Sequence, residues 1–151
     1  MARGSNYISL DAKGRMSIPT KLRAALIGDT EGRLVVTISP TDKCLLLYKL
    51  DDWNVVEQKL VALPTLNSQT RTLKRMLIGN ADDCAMDASG RILVAESLRE
   101  FAGIAKKAVL VGQGDKFEIW DEAQWVSQRD SMFIEELDES ALSAELEALS
   151  F

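Results

Sequence analysis

The chain has 151 residues, 46% hydrophobic and 27% charged, which excludes a disordered chain and fits a globular protein of one domain or two small fused ones. Its formal net charge of −5 counts against a nucleic-acid partner only until it is placed along the chain: residues 121 to 151 hold one arginine against nine carboxylates, leaving 17 Lys and Arg against 14 Asp and Glu in residues 1 to 120. There is no histidine, so the usual general base near neutral pH is missing, and no run approaches the roughly 18 apolar residues of a membrane span.

Taken in chain order, Tyr7 to Leu10 and Arg15 to Ile18 are short, apolar or β-branched, and separated by Asp-Ala-Lys-Gly, which predicts a hairpin. Gly14 suits the left-handed conformation of a tight turn, and Asp11 can accept hydrogen bonds from the turn amides. Pro19 opens a short helix with Leu22, Ala25 and Leu26 on one face, ending near Gly28. Leu34 to Ile38 and Cys44 to Tyr48 predict a second strand pair around a turn with Pro40 and Asp42. Two helices follow, separated near Pro64, with apolar stripes of Trp53, Val56 and Leu60 and of Leu73, Met76 and Leu77. The order then returns: strands at Cys84 to Asp87 and Arg91 to Val94, a helix carrying Leu98, Phe101 and Ala102, and strands at Ala108 to Val111 and Lys116 to Trp120. The tail after Trp125 predicts an acidic helix with Leu142, Leu146 and Leu149 at helical spacing.

This order is a duplication. Asp11-Ala12-Lys13-Gly14-Arg15 returns 76 residues later as Asp87-Ala88-Ser89-Gly90-Arg91, with six identities in the thirteen positions that end at Arg23 and Arg99. At an offset of 72, Leu45-Leu46-Leu47-Tyr48 corresponds to Phe117-Glu118-Ile119-Trp120, and Trp53 to Trp125. Two units too small to bury good cores alone are expected to complete one another in a pseudo-twofold body. The expected division is a first repeat over 5–52, connecting helices over 53–80, a second repeat over 81–124 and an acidic helical tail over 125–151.

The chemistry on offer is narrow. No glycine-rich phosphate loop and no Gly-x-Ser-x-Gly elbow occurs, and Asp11 and Asp87 each precede an arginine by four residues, which lowers rather than raises a carboxyl pKa. The chain is therefore not read as an enzyme, and neither a cofactor nor a small-molecule substrate is evident. Cys44 and Cys84 lack the paired spacing of a zinc or redox site and read as reduced thiols, with no metal expected. The glycine inside Asp-x-x-x-Arg argues for a turn rather than a helical ion pair. Such a turn is at least a hairpin held by an exposed ion pair worth about 0 to 1 kcal/mol. It can also order lysine and arginine toward phosphates or a guanine edge. Residues 11 to 23 sum to +3 and residues 87 to 99 to 0, so the first copy is the better anion site, with Arg3 adding to its basic opening segment. Arg71, Lys74 and Arg75 form a second basic cluster, readable as a solvated helix face, and Trp53 and Trp125 read as core anchors.

Arg3-Gly4, the run from Ile8 to Pro19, the repeated Asp-x-x-x-Arg, the Cys44 to Tyr48 strand, the Trp53 helix and the stretch from Lys116 to Glu122 together resemble the MraZ family of bacterial transcriptional regulators, over nearly the whole chain. The resemblance implies a mixed α+β, mainly β fold in which two AbrB-like swapped-hairpin units form a pseudo-twofold β-barrel with flanking helices. It implies a ring-shaped homo-oligomer and binding to short direct repeats in promoter DNA upstream of the division and cell wall gene cluster, usually as a repressor. The family's DNA-facing positions fall on Asp11, Arg15, Asp87 and Arg91. The expected DNA contacts are Arg15, Lys13, Arg3 and Arg91, with Asp11, Gly14, Asp87 and Gly90 ordering the loops.

The leading reading is a cytoplasmic, nucleoid-associated regulator whose partners are double-stranded DNA and itself, with no membrane partner. Two others stay open: a ring-forming interaction scaffold whose basic segment binds an acidic protein, and an antitoxin-like DNA-binding barrel that uses residues 121 to 151 as a toxin-binding arm.

Overall fold

The computed structural model describes residues 2–132 and 148–149. In chain order, β1 (Ser5–Ser9) and β2 (Arg15–Ser17) lead into α1 (Thr20–Ile27) and a 3-10 turn over Gly28–Thr30. Next come β3 (Arg33–Ile38), β4 (Leu45–Lys49) and the connecting helices α2 (Leu50–Val61) and α3 (Ser68–Leu77). The same order returns in β5 (Asp82–Ala85), β6 (Arg91–Leu93), α4 (Glu96–Ala102), β7 (Lys107–Gly112) and β8 (Phe117–Asp121), followed by α5 (Glu122–Asp130). Pro19 stands one residue ahead of α1 in extended backbone, and Gly28 ends that helix. Asn67 caps α3, its side-chain oxygen accepting from the amides of Gln69 and Thr70.

Six strands form one antiparallel sheet in the order β1-β7-β8-β4-β3-β5, and β2 and β6 form a separate two-stranded ribbon. The architecture is thus mixed α and β, but the sheet is open, with β1 and β5 at its edges, and the closed barrel expected from the resemblance is not formed. The reason lies in β2 and β6: at three residues each they leave the sheet and pair with one another, so they do not link one edge to the other. The expected hairpins form only in part for the same reason. Between β1 and β2 a single bridge joins Leu10 to Met16, while β1 pairs along its length with β7, from Ser5 opposite Val111 to Ser9 opposite Lys107. Ile8 there sits across from Ala108, and both are buried. In the same way β5 pairs with β3, Cys84 lying opposite Leu34.

The sheet is covered on both faces, which explains the nearly unbroken apolar runs of β3 and β4. On one face Leu34, Val36, Leu45, Leu47, Leu110 and Ile119 pack with Met16 and Ile92 from the ribbon, with Ile18 and Val94 just after its strands, and with Leu26 and Leu98 from α1 and α4. On the other, Val35, Leu46 and Tyr48 meet Trp53, Leu60 and Leu77 of α2 and α3. Val109, Val111 and Trp120 meet Trp125 of α5. The two tryptophans are the core anchors expected of them, and each tilts against an aromatic ring on the preceding strand: Tyr48 and Trp53 are 5.6 Å apart by centroid, Trp120 and Trp125 6.0 Å. Buried Thr37 donates to the carbonyl of Leu77 at 2.6 Å, tying the end of α3 to β3.

The expected tail helix through Leu142 and Leu146 lies outside the described residues. Among those described, no helix is long and apolar enough to cross a membrane.

Met16 and Ile92 face each other across the ribbon with no exposed surface, whereas Leu93 on the opposite face is 54% exposed. Ile92→Ala is therefore expected to cost about 2–5 kcal/mol of unfolding free energy, and Leu93→Ala no more than about 0.5 kcal/mol. Urea denaturation followed by circular dichroism measures both. Equal losses would show that the ribbon's inner face does not contribute to the core.

Candidate nucleic-acid interface

Each Asp-x-x-x-Arg segment is a tight turn organised by its own aspartate. In the first, the Asp11 amide donates to the carbonyl of Arg15 at 2.9 Å and the Gly14 amide to the carbonyl of Asp11 at 3.0 Å. One carboxylate oxygen of Asp11 accepts from the amides of Lys13 and Arg15, both at 2.9 Å, and the other from Arg15 Nε at 2.7 Å. The second turn repeats each of these bonds: Asp87 accepts from the amides of Ser89 and Arg91 at 2.9 Å and from Arg91 Nε at 3.1 Å. Gly14 and Gly90 hold φ of +87° and +76°, a conformation that a side chain rarely adopts.

The ribbon places the turns side by side. Arg15 lies opposite Leu93 and Arg91 opposite Ser17, so with Met16 and Ile92 turned inward, both arginines stand on the outer face. Diagonal neighbours of this kind are roughly 7–8 Å apart. Arg91 Nη1 comes within 4.0 Å of Asp11, so the Asp11 carboxylate faces both arginines. The same pairing exchanges backbone bonds between the copies: Val94 donates to the carbonyl of Gly14 at 3.0 Å, and Ile18 to that of Gly90 at 2.9 Å.

Both aspartates are held below the ordinary range. Asp11 falls to about 2, chiefly because the Arg15 amide donates to it, with the Arg15 side chain and the Lys13 amide adding to the effect against some desolvation. Asp87 is lowered for the same reason, with the Arg91 amide foremost. The carboxylates are thus acceptors at any physiological pH and useless as general acids. The Nε bond holds each arginine to its own aspartate, and in Arg91 one Nη group also faces Asp11. The motif pairs cancel in charge, and Lys13, exposed and replaced by Ser89 in the second copy, gives the first turn its excess.

Of the residues expected in the site, Asp11, Lys13, Gly14, Arg15, Asp87, Gly90 and Arg91 come together. Arg3 does not: it precedes β1 at the end where Ser5 pairs with Val111, eight residues from Asp11, with the whole length of β1 between them. Of the second basic cluster, Arg71 donates to the carbonyls of Thr65 and Leu66 and Lys74 to that of Leu63, which ties α3 to the segment that follows α2. Cys44 and Cys84 are free thiols, both pushed up to about 12 by burial, so neither is a thiolate near neutral pH.

Two residues near the turns were visible only as matched positions in the repeat. Arg99 lies over Gly14, where an added Cβ would meet its Nε at 2.6 Å, and Arg23 lies over Gly90 in the same way. Each guanidinium is anchored within its own repeat, Arg23 Nε donating to Ile18 at 2.8 Å and Arg99 Nε to Val94 at 3.0 Å. Their identity at equivalent positions was the available signal.

Comparison with known proteins follows the same repeat. A family model described as "MraZ protein, putative antitoxin-like" matches residues 1–76 and again residues 77–146. The chain is 47% identical to "Transcriptional regulator MraZ" of Thioalkalivibrio sulfidiphilus over 99% of both chains. It is 50% identical to the protein of that name from Methylococcus capsulatus over the full length of both. A third relative so named, from Pseudomonas fluorescens strain SBW25, is 52% identical over 83% of each chain.

Because Asp11 is lowered from 3.8 to about 2 in the folded chain, its stabilising bonds are fully present above 3.8 and are lost as pH falls through about 2. The amide resonances of Lys13 and Arg15 should therefore hold steady from neutral pH down to about 4 and shift only below it. Asp11 followed by carboxyl carbon NMR should titrate near 2. A midpoint at the ordinary 3.8 would show that the turn is not ordered by its aspartate.

Proposed function

The chain belongs to the MraZ family, whose named members are transcriptional regulators, and we propose that it regulates transcription by setting the β2–β6 ribbon and its two Asp-x-x-x-Arg turns against duplex DNA. On family grounds it is a DNA-binding regulator and not an enzyme. The observation that carries the mode of binding is the paired geometry of the turns. A major groove about 12 Å wide admits a two-stranded ribbon, and an arginine held through Nε still presents two Nη groups to the O6 and N7 acceptors of guanine. On this reading Lys13, exposed on the first turn, extends toward phosphate. The first turn leads and the second assists, since Ser89 offers no charge where Lys13 does.

The pairings of β1 with β7, of β5 with β3 and of β2 with β6 support reading the repeats, residues 5–52 and 81–124, as swapped-hairpin units about a pseudo-twofold axis. On this reading the segment 53–80 connects them and 125–151 is an appended acidic tail. One such ribbon makes few phosphate contacts and binds weakly by itself. A ring-shaped homo-oligomer solves this by presenting several ribbons to tandem repeats, where tethering multiplies affinity by roughly 10² to 10⁴. The operator is then a set of direct repeats upstream of the division and cell wall genes, its occupancy represses them, and the protein acts in the cytoplasm at the nucleoid.

Arg15→Ala is expected to lose about 1–3 kcal/mol of operator affinity per site with the fold intact, and Arg91→Ala less. Fluorescence anisotropy on duplex DNA from upstream of the protein's own gene measures both, and wild-type affinity in both variants would remove the turns from the interface.

Ribbons on one side of a ring reach equivalent grooves at intervals of about one helical turn, 10 to 10.5 base pairs. Inserting half a turn, about five base pairs, between two repeats should lower affinity toward that of a single repeat. Unchanged affinity, or light scattering that finds a monomer on the DNA, would dispose of the multivalent mode.

A further inference from the structure

We propose that Arg23 and Arg99 are crossed positioning residues: Arg99, from the second repeat, holds the first DNA-binding turn in shape, and Arg23, from the first repeat, holds the second. The proposal rests on the turns being the DNA-contacting elements. Its geometry is a closed circuit. Arg99 Nε donates to the carbonyl of Val94, the amide of Val94 donates to the carbonyl of Gly14, and the Arg99 guanidinium returns to lie flat against Gly14. Ile18, Gly90 and Arg23 form the same circuit in the other direction, with a bond of 2.8 Å from Arg23 to Ile18 and one of 2.9 Å from Ile18 to Gly90. Gly14 and Gly90 are both buried beneath these guanidinium groups, although Lys13 and Ser89 just before them are exposed and Arg15 and Arg91 just after them half-buried.

Only a planar, polar group fits this position. A guanidinium can donate through Nε while its face rests on a peptide plane, whereas the ammonium of lysine has no face to offer. A side chain at Gly14 would both strain a φ of +87° and displace Arg99, so glycine and arginine require each other across the repeat boundary. Among the described residues neither Arg23 nor Arg99 forms an ion pair with a carboxylate. Their charge therefore remains at the turns, where the motif arginines are neutralised by Asp11 and Asp87. Together with Lys13 they bring the cluster to five cations against two carboxylates.

The crossing gives a readout that simple loss of stability does not. In the DNA-free protein, Arg99→Ala should shift the amide resonances of Lys13, Gly14 and Arg15 and speed hydrogen exchange at Lys13 and Arg15 about tenfold, leaving Ser89 and Arg91 near wild type. Arg23→Ala should do the reverse. Arg99→Lys should behave as the alanine variant does. Should an alanine variant fail to fold, Arg99→Gln and Arg23→Gln, which keep bulk and an N–H donor without the flat cation, carry the same comparison. On operator DNA, Arg99→Ala should be strongly non-additive with Arg15→Ala and additive with Arg91→Ala. Perturbation confined to the turn of the mutated residue's own repeat, or spread equally over both turns, would overturn the proposal. A crossed pattern of amide shifts without any change in DNA affinity would leave the bracing in place and count against the turns as the DNA-binding element.

Discussion

The antiparallel pairing of Arg15–Ser17 with Arg91–Leu93 is the constraint on which the site depends. Three residues on each side suffice because the inner pair, Met16 and Ile92, is wholly buried and belongs to the main core. That burial fixes which face of the ribbon points outward, and a slip of one residue would turn both arginines into the core. The same pairing lets each repeat complete the other's turn through the bonds from Val94 to Gly14 and from Ile18 to Gly90. Neither repeat could make this surface alone.

Charge and order act at different levels here. The chain as a whole is acidic, yet the four arginines at the turns are each held through Nε, and a local field of a few charges within a Debye length matters more to an approaching phosphate than the sum over the chain. The two aspartates lower that local charge. What they provide is geometry: three N–H donors converge on Asp11, so the backbone of the turn and the plane of Arg15 are set before any ligand arrives. Preorganisation of this kind reduces the ordering cost of binding, which is where short loops usually lose affinity.

Much of this was legible in the sequence. The duplication, the order of strands and helices, the turn chemistry of Asp11 and Gly14, the lowered aspartates and the greater charge of the first copy all follow from residue type and spacing. Local pattern failed where long-range pairing decided. Tyr7 to Leu10 and Arg15 to Ile18 look like one hairpin, but β1 gains more by joining β7 along its length, and only the bridge from Leu10 to Met16 remains between them. The same choice leaves the sheet open. Arg3, a neighbour of the turn by charge run, is placed at the far end of β1 by an extended strand, a distance that composition does not carry. Arg23 and Arg99 were matched in the repeat, but the glycines they cover lie in the opposite copy, where no reading of one repeat would look for them.

The central claim, that an aspartate-ordered turn binds specific DNA, is tested most directly by the affinity of Asp11→Ala at one fixed salt concentration, on operator and on unrelated duplex. Removing the carboxylate adds one positive charge to the face and by electrostatics alone should tighten binding to any phosphate backbone. It also strips the acceptor from the amides of Lys13 and Arg15 and from Arg15 Nε. The account predicts stronger binding to unrelated DNA and weaker binding to the operator. A gain in operator affinity would contradict it and show that charge, not order, governs the turn.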